Sequence, residues 1–217
     1  VVSRLRETLR KEVPVPVLFE VPVLANLAQQ LELLLGAAGA PPPPLVPVPR
    51  GDDLPLSFAQ QRLWLLDQLE PENAAYNLPL ALRLRGQLDE RALERALGEI
   101  VRRHEVLRSS VELRAGEPVQ VIGSDGFGGL ERVDLSHLEG EEAEREAQQV
   151  VNQVGRRPFD LGRGPLLRAQ LVRLGGEEHV LVVVMHHIAS DGWSLGVFAR
   201  ELSRLYEAYH EGREESP

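Results

Sequence analysis

The segment HVLVVVMHH, residues 179–187, constrains the fold more than any other stretch of the chain. It is too short for a typical helix, and apolar side chains occupy both parities from Val180 to Met185. A strand points alternate side chains to opposite faces, so an apolar set on both faces means a central strand covered on both sides. The rest of the chain must then provide helices for two sides of one sheet. This predicts an α/β (α+β) fold, a mixed sheet with covering helices.

The flanking patterns supply those parts. Ser57 and Gln60 fit a capping box opening a helix that runs to about Leu69. Leu78, Leu80, Leu82 and Leu84 alternate with Pro79, Ala81, Arg83 and Arg85, as in a half-buried strand. Asp89 can cap a helix whose Leu93, Ala96, Leu97 and Ile100 share a face. Short strands are expected around 106–113, 119–122 and 132–135. A helix over 141–154 turns Ala143, Ala147, Val150 and Val154 inward, and a strand follows over 166–174. Gly175-Gly176 turns the chain into the central strand. A last helix over 193–209 carries Phe198, Leu202, Leu205, Tyr206 and Tyr209 on one stripe.

Composition bounds the function. With 217 residues, 43% hydrophobic and 26% charged, the chain has room for one domain or somewhat more. A formal charge of −9 offers no global basic footprint for nucleic acid or anionic lipid. There is no Cys, which excludes disulfides, thiolate metal sites and a Cys nucleophile. No apolar run approaches the roughly 20 residues of a membrane span, and no cleavable leader is visible. The expectation is a cytoplasmic protein without nucleic-acid or membrane partners. The chain starts at Val1 and has only one Met, Met185, so it reads as a piece of a longer protein.

The sequence divides near residue 40. Residues 41–53 hold Pro41 to Pro44 and more Pro and Gly, the composition of a semi-rigid linker. Residues 1–40 hold two helical patterns, one with Val2, Leu5 and Leu9, the other starting near Pro22 with Leu24, Leu27, Ala28, Leu31 and Leu35. Two helices cannot bury a proper core, so this piece reads as the end of a small helical domain. Residues 54–217 form the main domain.

Its chemistry gathers in MHHIASDGWS, Met185 to Ser194, where the central strand stops and the last helix starts. If the strand runs through the pair, one of His186 and His187 enters packed structure and the other can face a cleft. Neighbouring His on a strand diverge and no helical His-x-x-x-His completes a shell, so no metal site is expected. Asp191 can cap the helix, and Gly192 permits close backbone approaches.

The combination HHxxxDG in MHHIASDGWS resembles the active-site motif of the condensation domains of nonribosomal peptide synthetases. SFAQQRLWLL (57–66) is similar to that family's first motif, and RRHEVLRSSV (102–111) to its second, with Ser109 and Val111 where Thr and Phe are usual. RPFDLGRGPLLRAQL (157–171) is typical of the stretch before the active-site motif. The resemblance implies the N-terminal lobe of a two-lobed fold, each lobe similar to chloramphenicol acetyltransferase, with the C-terminal lobe absent. It implies amide formation between an acyl or peptidyl thioester on an upstream carrier protein and an aminoacyl amine on a downstream one. His187 is implied at the reaction centre, as a base or as a hydrogen-bonding group. His186 is implied as structural, Asp191 as an ion-pair partner of Arg62, and Gly192 as a close backbone neighbour of substrate. AAYNLP (74–79) and DGWS are similar to domains that take an L-configured donor.

Residues 1–32 are similar to the C-terminal half of a peptidyl carrier protein. The Ser that bears 4'-phosphopantetheine would lie upstream, so Ser3 is not the attachment site and the chain itself binds no cofactor. Two other readings remain: a non-catalytic interaction lobe, and a chloramphenicol-type acetyltransferase, which also carries HHxxxDG.

Overall fold

The computed structural model describes residues 2–9, 13–36, 46, 54–124 and 126–213. The chain splits into two compact units, Val1–Pro49 and Arg50–Pro217. The expected linker lies, apart from Val46, outside the described residues.

The first unit holds α1 (Val2–Leu9), a single turn α2 (Val17–Glu20) and α3 (Leu24–Gly36). Helical spacing anticipates α1 and α3. The turn α2 is too short for a periodic signal, yet its Val17, with Val13 before it, is buried. Phe19, Leu24 and Leu33 stay 79%, 80% and 69% exposed.

The second unit is built on the sheet β2-β7-β6-β5. Its strands are β2 (Asn77–Arg85), β5 (Leu130–Asp134), β6 (Leu167–Gly175) and β7 (Glu178–His186). β7 runs antiparallel to β2 and β6, while β5 is parallel to β6. β7 is buried from His179 to its end, as its composition requires. Leu181, Val183 and Met185 enter a core shared with α5 (Glu90–Arg103) and α7 (Gly192–His210). Val180, Val182 and Val184 enter a second core under α6 (Gly140–Arg156). Each such side chain contributes about 1.5–3 kcal/mol by leaving water, so the one strand cements both layers. After the buried Asn77, β2 is half-buried on alternate residues and exposed on the others. Its Pro79 lacks an N–H, and the outer strand of the sheet is where that is tolerated. The β6–β7 turn needs left-handed backbone at Gly175 (φ 120°) and Gly176 (φ 56°), conformations that cost L side chains strain.

A smaller antiparallel sheet, β1-β4-β3, joins β1 (Leu54–Pro55), β3 (Ser109–Arg114) and β4 (Glu117–Ile122). The strand expected from residue 106 begins at Ser109, because 105–108 wind as a 3-10 turn. That turn buries Leu107 against the main core, which a strand's alternation would not have indicated. α4 (Phe58–Leu69) opens with the expected capping box: Gln60 N–H donates to Ser57 Oγ, and Ser57 N–H to Gln60 Oε1. Leu63 and Trp64 of α4 pack on Leu161, Leu166 and Ile188, beside the end of β7. Asn77 pins the end of α6 to β2 by donating to the Gly155 and Arg157 carbonyls, both at 2.8 Å.

Candidate active site

β7 is held at its end from both neighbours. The His186 N–H donates to Leu166 O, and the next amide, His187 N–H, to Tyr76 O at 2.8 Å. The strand stops at His186, and residues 187–189 form a turn closed by Ala189 N–H donating to His186 O. Asp191 then caps α7, accepting from the Ser194 N–H at 2.8 Å and the Ser194 hydroxyl at 2.7 Å. Adjacent His side chains therefore diverge partly by strand alternation and partly because the chain turns between them.

His186 shares the parity of Val180, Val182 and Val184 and is only 3% exposed. Its ring lies between Phe159, edge-on at 5.9 Å, and Tyr76 at 6.4 Å. Burial first, then electrostatic repulsion from the neighbouring His187, whenever it is protonated, and from Arg168, push its pKa down to about 4. It is neutral at physiological pH. Its Nδ1 accepts the Ile188 N–H at 3.1 Å, which leaves the ring proton on Nε2.

His187 is exposed and takes the opposite tautomer. Its Nδ1 lies 2.8 Å from the Ser190 carbonyl, which only accepts, so Nδ1 carries the proton. Nε2 is the ring nitrogen left with a lone pair. His187 lines a cavity of about 660 Å³ together with Ser57, Arg62, Tyr76, Ser190, Asp191 and Ser194. An imidazole fixed by one hydrogen bond through Nδ1 can, in its unprotonated form, accept a proton or a hydrogen bond from a ligand through Nε2.

The structure brings His187, Asp191 and Arg62 to one cavity but does not join Arg62 to Asp191. Among the described residues no ion pair links them, and both side chains are exposed. Asp191 uses Oδ1 to cap the helix N-terminus, and the Ser194 hydrogen bonds hold its carboxyl below the usual carboxylate range. An exposed pair gains little from contact, so the local cap wins. Gly192 needs no special conformation, and a Cβ there would meet nothing within 4 Å.

The motif around residue 104 braces the same region: His104 Nε2 meets Glu201 Oε2 at 2.7 Å, tying the end of α5 to α7. Sequence reasoning did not single out Tyr76, Phe159, Arg168 or Ser190. Each sits in or beside a motif it had marked, but their contacts with the His pair arise only when the chain folds.

A central strand ending in a two-histidine turn over an open cavity, capped into a helix, defines the class. The chain belongs to the condensation domain family, whose model matches residues 51–217. It is 48% identical over 212 residues to one of the linear gramicidin synthase proteins of Brevibacillus parabrevis, covering 97% of this chain and 3% of that protein. It is 44% identical over 211 residues to a probable non-canonical nonribosomal peptide synthetase of Salinispora arenicola, covering 97% of this chain and 3% of that one. The chain thus spans a small fraction of the relatives it matches. Among solved structures, the first condensation domain of the CDA synthetase superposes with a TM-score of 0.68 at 31% identity, over 76% of this chain and 42% of that chain. The mixed, acetyltransferase-like α/β fold expected from the sequence is the fold found.

Proposed function

We propose that this chain supplies the His-bearing lobe of a peptide-forming condensation domain in a nonribosomal peptide synthetase. The single observation that carries the reading is His187, held as the Nδ1–H tautomer and lining a large cavity with Nε2 free. The substrates are a donor thioester and an acceptor amine, each on the 4'-phosphopantetheine arm of a carrier protein. The amine nitrogen attacks the thioester carbonyl carbon, a C–N bond forms, the C–S bond breaks, and the thiolate leaves on the donor carrier. The amine proton passes to His187 Nε2 or is held by it while the tetrahedral centre forms, and is then available to the leaving sulfur. His186 stays neutral and structural. Asp191 fixes the start of α7, and the Gly192 amide at that start is available to the developing oxyanion.

Residues 1–40 are read as the end of a carrier protein, joined by the 41–53 linker, in a cytoplasmic assembly. Among the described residues no helix is long and apolar enough to cross a membrane. The donor is read as L-configured, on the resemblance of AAYNLP and DGWS to domains of that type.

The test uses the full-length parent with loaded donor and acceptor carriers. His187→Ala is expected to abolish most dipeptidyl-carrier formation while leaving the melting curve in place. This chain alone is expected to yield no product above background, because positioning two tethered substrates needs the rest of the domain. Undiminished turnover by His187→Ala would remove His187 from the reaction centre.

A further inference from the structure

Arg168 on β6 is a half-buried cation that makes no direct ion pair among the described residues: Glu131 favours its charge only through space, and its Nε is buried and unbonded. A half-buried cation with no contact ion pair is costly, and an apolar residue would pack there at less expense. Three contacts on consecutive residues show what the guanidinium does instead. It donates to Arg157 O and, at 3.0 Å, to Pro158 O, and it lies 3.9 Å over the ring of Phe159. Only a planar fork of donors meets two successive carbonyls while covering the next ring.

Phe159 so held packs edge-on against His186. His186 in turn accepts the Ile188 N–H, which shapes the turn from which Ser190 offers its carbonyl to His187. The titratable and charged groups about His186 are Arg168, Tyr76 and His187.

We propose that Arg168 is a positioning residue for His187: by clamping Phe159 onto His186 it fixes the turn that sets which ring nitrogen of His187 is protonated. The consequence for catalysis rests on the reading of His187 given above. The claim about the tautomer does not.

The first experiment is long-range ¹H–¹⁵N NMR of the histidine side chains in this chain. In the wild type, His187 reports predominantly Nδ1–H and His186 predominantly Nε2–H. In Arg168→Met, His187 reverts to a rapidly exchanging mixture in which Nε2–H, the form imidazole favours in water, exceeds Nδ1–H. Arg168→Lys keeps the charge without the fork and gives an intermediate ratio. If Arg168→Met does not fold, the Lys variant decides. In the full-length parent, Arg168→Met lowers kcat on the order of 10²-fold with KM little changed, the scale of a misplaced catalytic group. A folded variant in which His187 keeps its Nδ1–H signature overturns the proposal. A changed tautomer with unchanged kcat upholds the positioning and instead refutes the catalytic role of His187.

Discussion

Acidification should destabilise this protein through one side chain before the carboxylates take effect. His186 is 3% exposed and its pKa falls from the ordinary 6.5 to about 4. In the unfolded chain the imidazole takes a proton near 6.5, whereas in the fold it resists until about 4. Between those values the unfolded state binds the extra proton, so stability is fully present above about pH 7 and drains as pH falls through that window. The whole shift corresponds to at most about 3 kcal/mol, of which about 2 is lost by pH 5. Water reaching the ring reduces both figures. Glu99, whose Arg102 hydrogen bonds bring it to about 2, acts in the same direction but only below its unfolded value of 4.5. The window from pH 7.5 to 5 therefore lies above the range in which Glu99 acts. The assay is urea unfolding at half-unit steps of pH, followed by tryptophan fluorescence, since Trp64 packs beside Ile188. His186→Gln serves as the non-titrating reference and absorbs the contribution of every other group. The wild-type curve should fall relative to the variant by about 1–2 kcal/mol between pH 7.5 and 5. Parallel curves would show that the buried ring is already satisfied when protonated and would refute the reasoning.

Three further outcomes follow from the contacts. Asp191→Ala should cost about 0.5–2 kcal/mol as a lost helix cap, Arg62→Ala under about 0.5, and the pair should add within about 0.5 in a double-mutant cycle; coupling above about 1 kcal/mol would mean that the ion pair forms in solution. Asn77→Leu should cost about 1–3 kcal/mol by leaving the Gly155 carbonyl without its donor, seen as faster amide exchange at the end of α6. Leu181→Ala, at 0% exposure in β7, should cost about 2–5 kcal/mol in denaturant melts, while Leu113→Ala, 61% exposed, stays within about 0.5.

What the sequence reveals follows the range of the interaction that decides it. β7, α5 and α7 were legible because burial imposes a period on local sequence, and the Ser57–Gln60 box because it closes within four residues. The two-histidine turn was legible as a motif. The Arg62–Asp191 pair was not decided by sequence: resemblance set the two residues in one site, and both line one cavity, but the contacts Asp191 makes are with Ser194, three positions on, as a helix cap. Nor was the Arg168–Phe159–His186 stack legible. It joins β6, the segment after α6 and the end of β7, and no periodicity ties those positions together. The opposite tautomers of the two histidines depend on single carbonyl and amide positions in a turn, which strand alternation does not specify.

The sheet order also sets a timetable for synthesis. β7 closes onto β6 through a tight hairpin, but its other neighbour, β2, lies far upstream: Arg85 and Glu178, paired across the two strands, are 93 positions apart. At roughly 5–20 residues per second on the ribosome, β2 waits about 5–20 s for its partner. During that interval Leu78, Leu80, Leu82 and Leu84 form an apolar row on an unpaired strand, the kind of surface that associates with other nascent chains. Slowing translation between residues 85 and 178 should lower the soluble yield of this chain, and the Tyr76 carbonyl that receives His187 belongs to the half of the site that must wait longest.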